Sequence, residues 1–243
     1  MKSPDDADRL SACLRAGAEL EKLAALDELY ETACECRTET GSREPWRKFR
    51  AVIGERAFEA LLELVRRAPP SALRARSGDI MALVLHPSAI GRLLEAFEER
   101  RETLAEDPPV RILKTLGGIG TEAAVRALMW LWGSGCDDEV AGALGMCDSA
   151  AAQDFLLNNA LTHGNSYVRA VCMAHLKAPV TKEKQELFLD RLETGTQNER
   201  FVAVMKIKEL RLRRAVPLLV SLRALDIDAV LRNAIGEALA ALS

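Results

Sequence analysis

Aromatic side chains make up only 5% of the 243 residues, while Leu, Ala, Glu and Arg dominate. Sheets select β-branched and aromatic residues, whereas closely packed helices select the residues abundant here. The composition therefore predicts an all-α protein. Excess positive charge is also missing: 33 Lys and Arg stand against 36 Asp and Glu, a formal net charge of −3. Phosphate backbones are bound by neutralising many charges at once, so nucleic acid is the less favoured partner class. Long apolar runs are absent too. The greasiest stretch, Leu116 to Trp132, carries Glu122 and Arg126, and a bilayer span needs about 18 or more uncharged apolar residues. The opening Met1-Lys2-Ser3-Pro4-Asp5-Asp6 lacks the apolar core of a signal peptide. The chain reads as cytoplasmic, with no membrane partner.

Chemistry-bearing residues are sparse. Six cysteines (Cys13, Cys34, Cys36, Cys136, Cys147, Cys172) are too dispersed for a disulfide framework, and a chain with 49% hydrophobic residues has core enough without staples. Cys34 and Cys36 form a C-x-C, with no second pair spaced to complete a tetrahedral metal site. Of three histidines, His86 and His163 fall in expected inter-helix turns and His175 inside the helix from Tyr167; none has an acid at a spacing that announces a metal face or a triad. Leu116-Gly117-Gly118-Ile119-Gly120 has neither the G-x-G-x-x-G spacing nor a following Gly-Lys-Ser/Thr. It reads as a helix-to-helix turn in which Gly117 and Gly120 supply positive φ. No catalytic residue, metal or cofactor is assigned, and the chain reads as a non-enzyme.

What the sequence has is recurrence. Six windows share an alanine-like residue followed by apolar residues at fixed offsets, beginning at Ala57, Ala89, Ala124, Ala152, Lys184 and Ala215, with gaps of 32, 35, 28, 32 and 31. A period of roughly 30 to 47 residues marks a helical solenoid, in which each unit hides its apolar face on its neighbours. Breaks at Pro69-Pro70, His86-Pro87, Asp107-Pro108-Pro109, Gly133-Ser134-Gly135, His163-Gly164-Asn165, Pro179 and Gly195 separate the helices. Residues 1–44 lack the pattern. There, Leu10, Leu14, Leu20, Leu23, Leu26, Tyr30 and Ala33 predict one long helix or a broken pair up to about Arg37, started by Ser3 as N-cap. Thr38 to Glu44 reads as linker. The expected organisation is an N-terminal helical cap over 1–44 and one continuous repeat domain over 45–243.

The stretch from Leu116 to Leu128, with Tyr167-Val168-Arg169-Ala170 and Ala215-Val216-Pro217-Leu218-Leu219, resembles HEAT repeats, in particular the bacterial subclass related to phycobilisome lyases. The resemblance spans Pro108 to the C-terminus best and reaches less closely back to Pro45. It implies a right-handed α-solenoid of about six helix pairs whose second helices line a concave surface. It also implies that an Asp or Asn before each first helix pairs with an arginine four residues on, as Asp107 with Arg111, Asn165 with Arg169 and Asp228 with Arg232. Ala141 interrupts that ladder.

Carried through the repeats, the register gives a concave ridge of Glu59 and Glu63, Gly91 and Glu95, Arg126 and Trp130, Asp154 and Asn158, Glu186 and Asp190, Pro217 and Ser221. Six of these twelve are acidic and one is basic, which favours Lys- or Arg-bearing partners. The partner-binding expectation therefore falls on Trp130, Arg126, Glu63, Glu95, Asp154, Asn158, Glu186 and Asp190. Trp130 beside Arg126 has the composition of an interface anchor; the competing reading packs its indole under Gly133 to Asp138. The cluster Lys206, Lys208, Arg211, Arg213 and Arg214 reads as a solvated edge. On the last helix, Gly236, Ala240 and Ala241 leave room for a homodimer contact. The function expected is a non-enzymatic scaffold or adaptor for a protein or peptide. The rivals are a bilin-lyase-like or other small-ligand enzyme, suggested by the resemblance alone, and a nucleic-acid binder, which the charge disfavours. The iron-binding HEAT-type hydroxylases use His-Glu dipeptides, and the chain has none.

Overall fold

In the computed structural model, which describes residues 4–40, 44–67, 71–102, 110–225 and 228–242, every regular element is helical among the described residues. The helices are α1 (Pro4–Ala16), α2 (Glu19–Thr40), α3 (Pro45–Ile53), α4 (Glu55–Arg67), α5 (Ala72–Leu83), α6 (Ile90–Glu102), α7 (Val110–Ile119) and α8 (Glu122–Trp130). They continue with α9 (Asp137–Met146), α10 (Ala150–Thr162), α11 (Ser166–Ala174), α12 (Lys182–Thr194), α13 (Gln197–Glu209), α14 (Val216–Ala224) and α15 (Ala229–Leu242). Short 3₁₀ turns, Pro87–Ala89 and Arg213–Ala215, lead into α6 and α14. None of these helices is long and apolar enough to cross a membrane.

Local chemistry sets the starts. Ser149 accepts a hydrogen bond from the Ala152 N–H and Thr181 from the Lys184 N–H, while the Asn165 and Asp228 side chains accept from the Tyr167 and Val230 N–H groups. Each satisfies a donor that has no partner within its own helix. Ser3, the expected first cap, lies outside the described residues, as do the breaks at Pro69-Pro70 and Asp107-Pro109.

The chain divides into two compact units, residues 1–130 and 131–243. In the first, α1 packs on α4, α2 on α5 and α4 on α5, so the N-terminal pair shares a core with the helices after it. Leu10, Leu26, Leu29 and Ala33 are fully buried there, but Leu20, expected on the same stripe, is 81% exposed. The break falls at Gly17 and Ala18, whose N–H groups donate to the Cys13 carbonyl and the Glu21 carboxylate. Helix α2 then runs past Arg37 to Thr40, into the expected linker. Arg37 donates to the carbonyl of Leu83 at 2.6 Å and caps the end of α5.

In the second unit α9 packs on α11, α11 on α13 and α13 on α15, while α10 covers α9 and α11, α12 covers α13, and α14 adjoins α15 and α12. The core includes Val140, Leu144, Leu156, Met173, Phe188, Val204, Ile207, Leu219 and Ile235. Burying a side chain as large as Phe188 stabilises by about 1.5–3 kcal/mol.

The recurring windows have a common burial pattern across both units. Ala57, Ala89, Ala124, Ala152 and Ala215 are 0% exposed, and Lys184 at the same position is 5% exposed. Four residues on, Leu61, Leu93, Leu128, Leu156, Phe188 and Leu219 are all buried. Lys184 tolerates the alanine position because its Nζ donates to the carbonyls of Lys177 (2.6 Å) and Pro179 (3.2 Å).

Two further details differ from the sequence reading. Gly117 and Gly118 are the last turn of α7, and only Gly120 takes a positive φ, at 62°; apolar burial of Leu116 and Gly117 carries the helix through. His175 stands just past the end of α11, as its C-cap.

Candidate functional site

All twelve ridge positions are exposed. The register places them on the outer stripe because buried residues such as Leu61, Leu128 and Leu187 occupy the opposite one. Trp130, the last residue of α8, is 65% exposed, which overturns the reading that packs its indole under the following loop. Beside it, Arg126 pairs with Glu122 at 2.9 Å.

Several of the ridge acids have basic neighbours. Glu95 lies 2.7 Å from Arg74, Glu186 3.6 Å from Lys182 and Asp190 3.7 Å from Arg191. Such surface pairs contribute little to stability, about 0–1 kcal/mol, but they offset part of the negative field that a count of acids along the register suggests. Asp154 and Asn158 on α10 are exposed. In the basic cluster, Lys208 pairs with Glu237 and Lys206 with Glu209, and Lys206 is 7% exposed rather than solvated.

The arginine ladder takes a different form at Arg169. Asn165 caps α11, and the Arg169 guanidinium instead reaches Glu199 on α13, at 2.7 Å from Nε to Oε1. It donates as well to the carbonyls of His163 and Gly164. Glu199 also accepts from the N–H and hydroxyl of Thr196, completing a capping box. Burial pushes its carboxyl up, but the bonds from Arg169 and Thr196 together outweigh this and hold its pKa below the usual glutamate value. Asp107 lies outside the described residues, and Asp228 caps α15 while accepting from Gln197.

Each histidine is engaged within its own unit. His163 Nε2 donates to Asp137 at 3.3 Å, an acid 26 residues away, which spacing along the chain does not reveal. The other ring nitrogen, Nδ1, accepts the Asn165 N–H, so both sides of the ring are engaged. His175 lies over α9 with no room to spare: a Cβ on Gly145 would stand 2.4 Å from its ring. Among the described residues no group of His, Cys, Asp and Glu could hold a metal ion, and all six cysteines are free thiols. Burial pushes the Cys172 thiol up to about 12, which holds it in the protonated form.

Sequence spacing gave no sign of a cleft of about 470 Å³ in the first unit, where α4, α5 and α6 each contribute one arginine: Arg66, Arg74 and Arg92. Residues from three helices form no linear motif. Compared with models of known protein families and with curated proteins, the chain matches none of them.

Proposed function

We propose that the chain is a non-enzymatic interaction scaffold built from HEAT-like helix pairs, which captures a protein or peptide partner rich in Lys and Arg. The observation carrying this reading is Trp130, a large apolar ring left 65% exposed next to a charged Arg126. Tryptophan and arginine are the side chains most often found as energetic anchors of interfaces. Glu63 and Glu95 add acidic character to the exposed stripe of the first unit, as do Asp154, Glu186 and Asp190 on the second, where Asn158 adds an uncharged polar group. The repeat reading is supported by the six windows with a common burial pattern and by the successive packing of α9, α11, α13 and α15. Gly236, Ala240 and Ala241 would let a second copy approach α15; a monomeric mass by light scattering at micromolar concentration removes that element.

Affinity selection of a random peptide library on the full chain tests the proposal. Selected sequences are expected to be enriched in Lys and Arg and to lose affinity as salt rises. Selection without charge bias, or of acidic peptides, contradicts it.

A further inference from the structure

The arginine-walled cleft has a chemistry of its own. Its lining supplies Arg66, Arg74 and Arg92, with His86, Ser88 and Gly91, and no carboxylate. Glu95 and Glu99 line an adjoining concavity that shares Arg74 and Arg92 with the cleft, and Asp79 on α5 is a third acid whose charge acts on Arg92. In that concavity Glu95 holds Arg74 at 2.7 Å and Glu99 holds Arg92 at 3.1 Å. These two glutamates thus fix two guanidiniums as one wall of the cleft, while Arg66 has no acid partner among the described residues. The lining itself carries three guanidiniums and no carboxylate, so the face presented to the cleft is cationic.

The cleft is held in shape. Arg92 crosses the face of α5 at Gly78, where a Cβ would lie 2.7 Å from Arg92 Cγ, so only glycine lets the arginine stem lie flat. Arg92 Nε is buried with no acceptor, a donor left unmatched in the guanidinium. His86 is fixed edge-on to Trp46 and Phe58, with ring centroids 5.4 and 5.5 Å away. Its Nδ1 accepts the Ser88 N–H and lies 2.9 Å from the Ser88 hydroxyl, so the neutral ring carries its proton on Nε2. The N–H groups of Ala89 and Ile90 are already bonded to His86 and Pro87 carbonyls. An incoming ligand would therefore be held by side chains. Gly91 opens the floor, since a Cβ there would meet nothing within 4 Å.

We propose that this cleft binds a phosphate-type oxyanion, with Arg66, Arg74 and Arg92 as its charge partners. Planar guanidiniums match oxyanions two donors at a time, and about 470 Å³ exceeds one phosphate, leaving space for the group that carries it. The site goes beyond the scaffold reading: it shares Gly91 and Glu95 with the exposed ridge, but its charge partners, Arg66, Arg74 and Arg92, are not ridge residues.

The test uses the full chain and its three histidines as reporters. Inorganic pyrophosphate is titrated at constant ionic strength while the imidazole resonances are followed by NMR. His86 is expected to shift saturably, with His163 and His175 unmoved. Arg66→Gln should weaken binding about tenfold or more, as loss of a charge-assisted contact does. Gly91→Glu, which places an anion where space is open, should abolish it. Both variants should keep the wild-type melting temperature. A phosphoserine peptide distinguishes the source: tighter binding than pyrophosphate assigns the anion to a modified protein, weaker binding to a small phosphorylated molecule. A static His86, equal shifts at all three histidines, or wild-type affinity in either variant overturns the proposal.

Discussion

Arg169 and Glu199, thirty residues apart in sequence, meet at 2.7 Å, and the glutamate side chain is only 1% exposed. This contact ties the α10–α11 turn to the start of α13, because the same guanidinium also holds the His163 and Gly164 carbonyls. Removing one partner strands the other, at a cost of about 2 kcal/mol or more. Glu199→Gln, which keeps the shape and part of the capping box, should lower the urea midpoint accordingly. Combined with Arg169→Met, the loss should fall short of the sum of the single variants, a coupling read by a double-mutant cycle. Additive losses would mean that the two side chains act independently.

Gly142 and Gly145 on α9 face His175 at different distances, and opposite effects of alanine follow. At Gly145 the new methyl would lie 2.4 Å from the ring, whereas at Gly142 it would lie 3.7 Å away, in ordinary contact. Gly145→Ala should destabilise by about 1–3 kcal/mol through overpacking. Gly142→Ala should be neutral or stabilising by up to about 1 kcal/mol, since alanine is the better helix former. Thermal unfolding of the two variants side by side checks the difference in sign.

Burial, with the charges of Arg66 and Arg50, pushes His86 down to about 4 from an ordinary 6.5. The unfolded chain therefore binds the proton more readily than the folded one. The His86 contribution to stability is expected to be complete above about pH 6.5 and to be lost as pH falls toward 4. His175 is shifted in the same direction by burial, Lys206 and Lys177, so it contributes to the same slope. His86→Asn, whose side-chain oxygen can still accept the Ser88 N–H, should flatten the slope between pH 6.5 and 4 without removing it. Urea midpoints across that range measure it; an unchanged slope would mean that His86 does not resist protonation.

The sequence disclosed the helical class and the buried stripes because both depend on local composition and a repeated register. The six windows place Ala, or once Lys, at a buried position and a Leu or Phe four residues later at another. That register also leaves Trp130 facing outward. What the sequence did not disclose depends on contacts between distant segments. Arg169 finds Glu199 on another helix, His163 finds Asp137, and Arg66, Arg74 and Arg92 converge from three helices. Helix ends were legible only within a turn: Gly117 stays helical because its neighbours are buried, while Gly120 makes the turn.

Trp130 makes a separate prediction about stability. A side chain 65% exposed has little packing to lose, so Trp130→Ala should change stability by no more than about 0.5 kcal/mol. Thermal melting checks this directly, and a fall of several degrees would place the indole in the core.

The interaction reading is tested most directly by the affinity of a selected Lys- and Arg-rich peptide for wild type and for Trp130→Ala, measured by isothermal titration calorimetry. The account predicts a loss of about thirtyfold or more, the size of an interface anchor at about 2 kcal/mol, with the melting temperature unchanged. Equal affinity for the two proteins would contradict it.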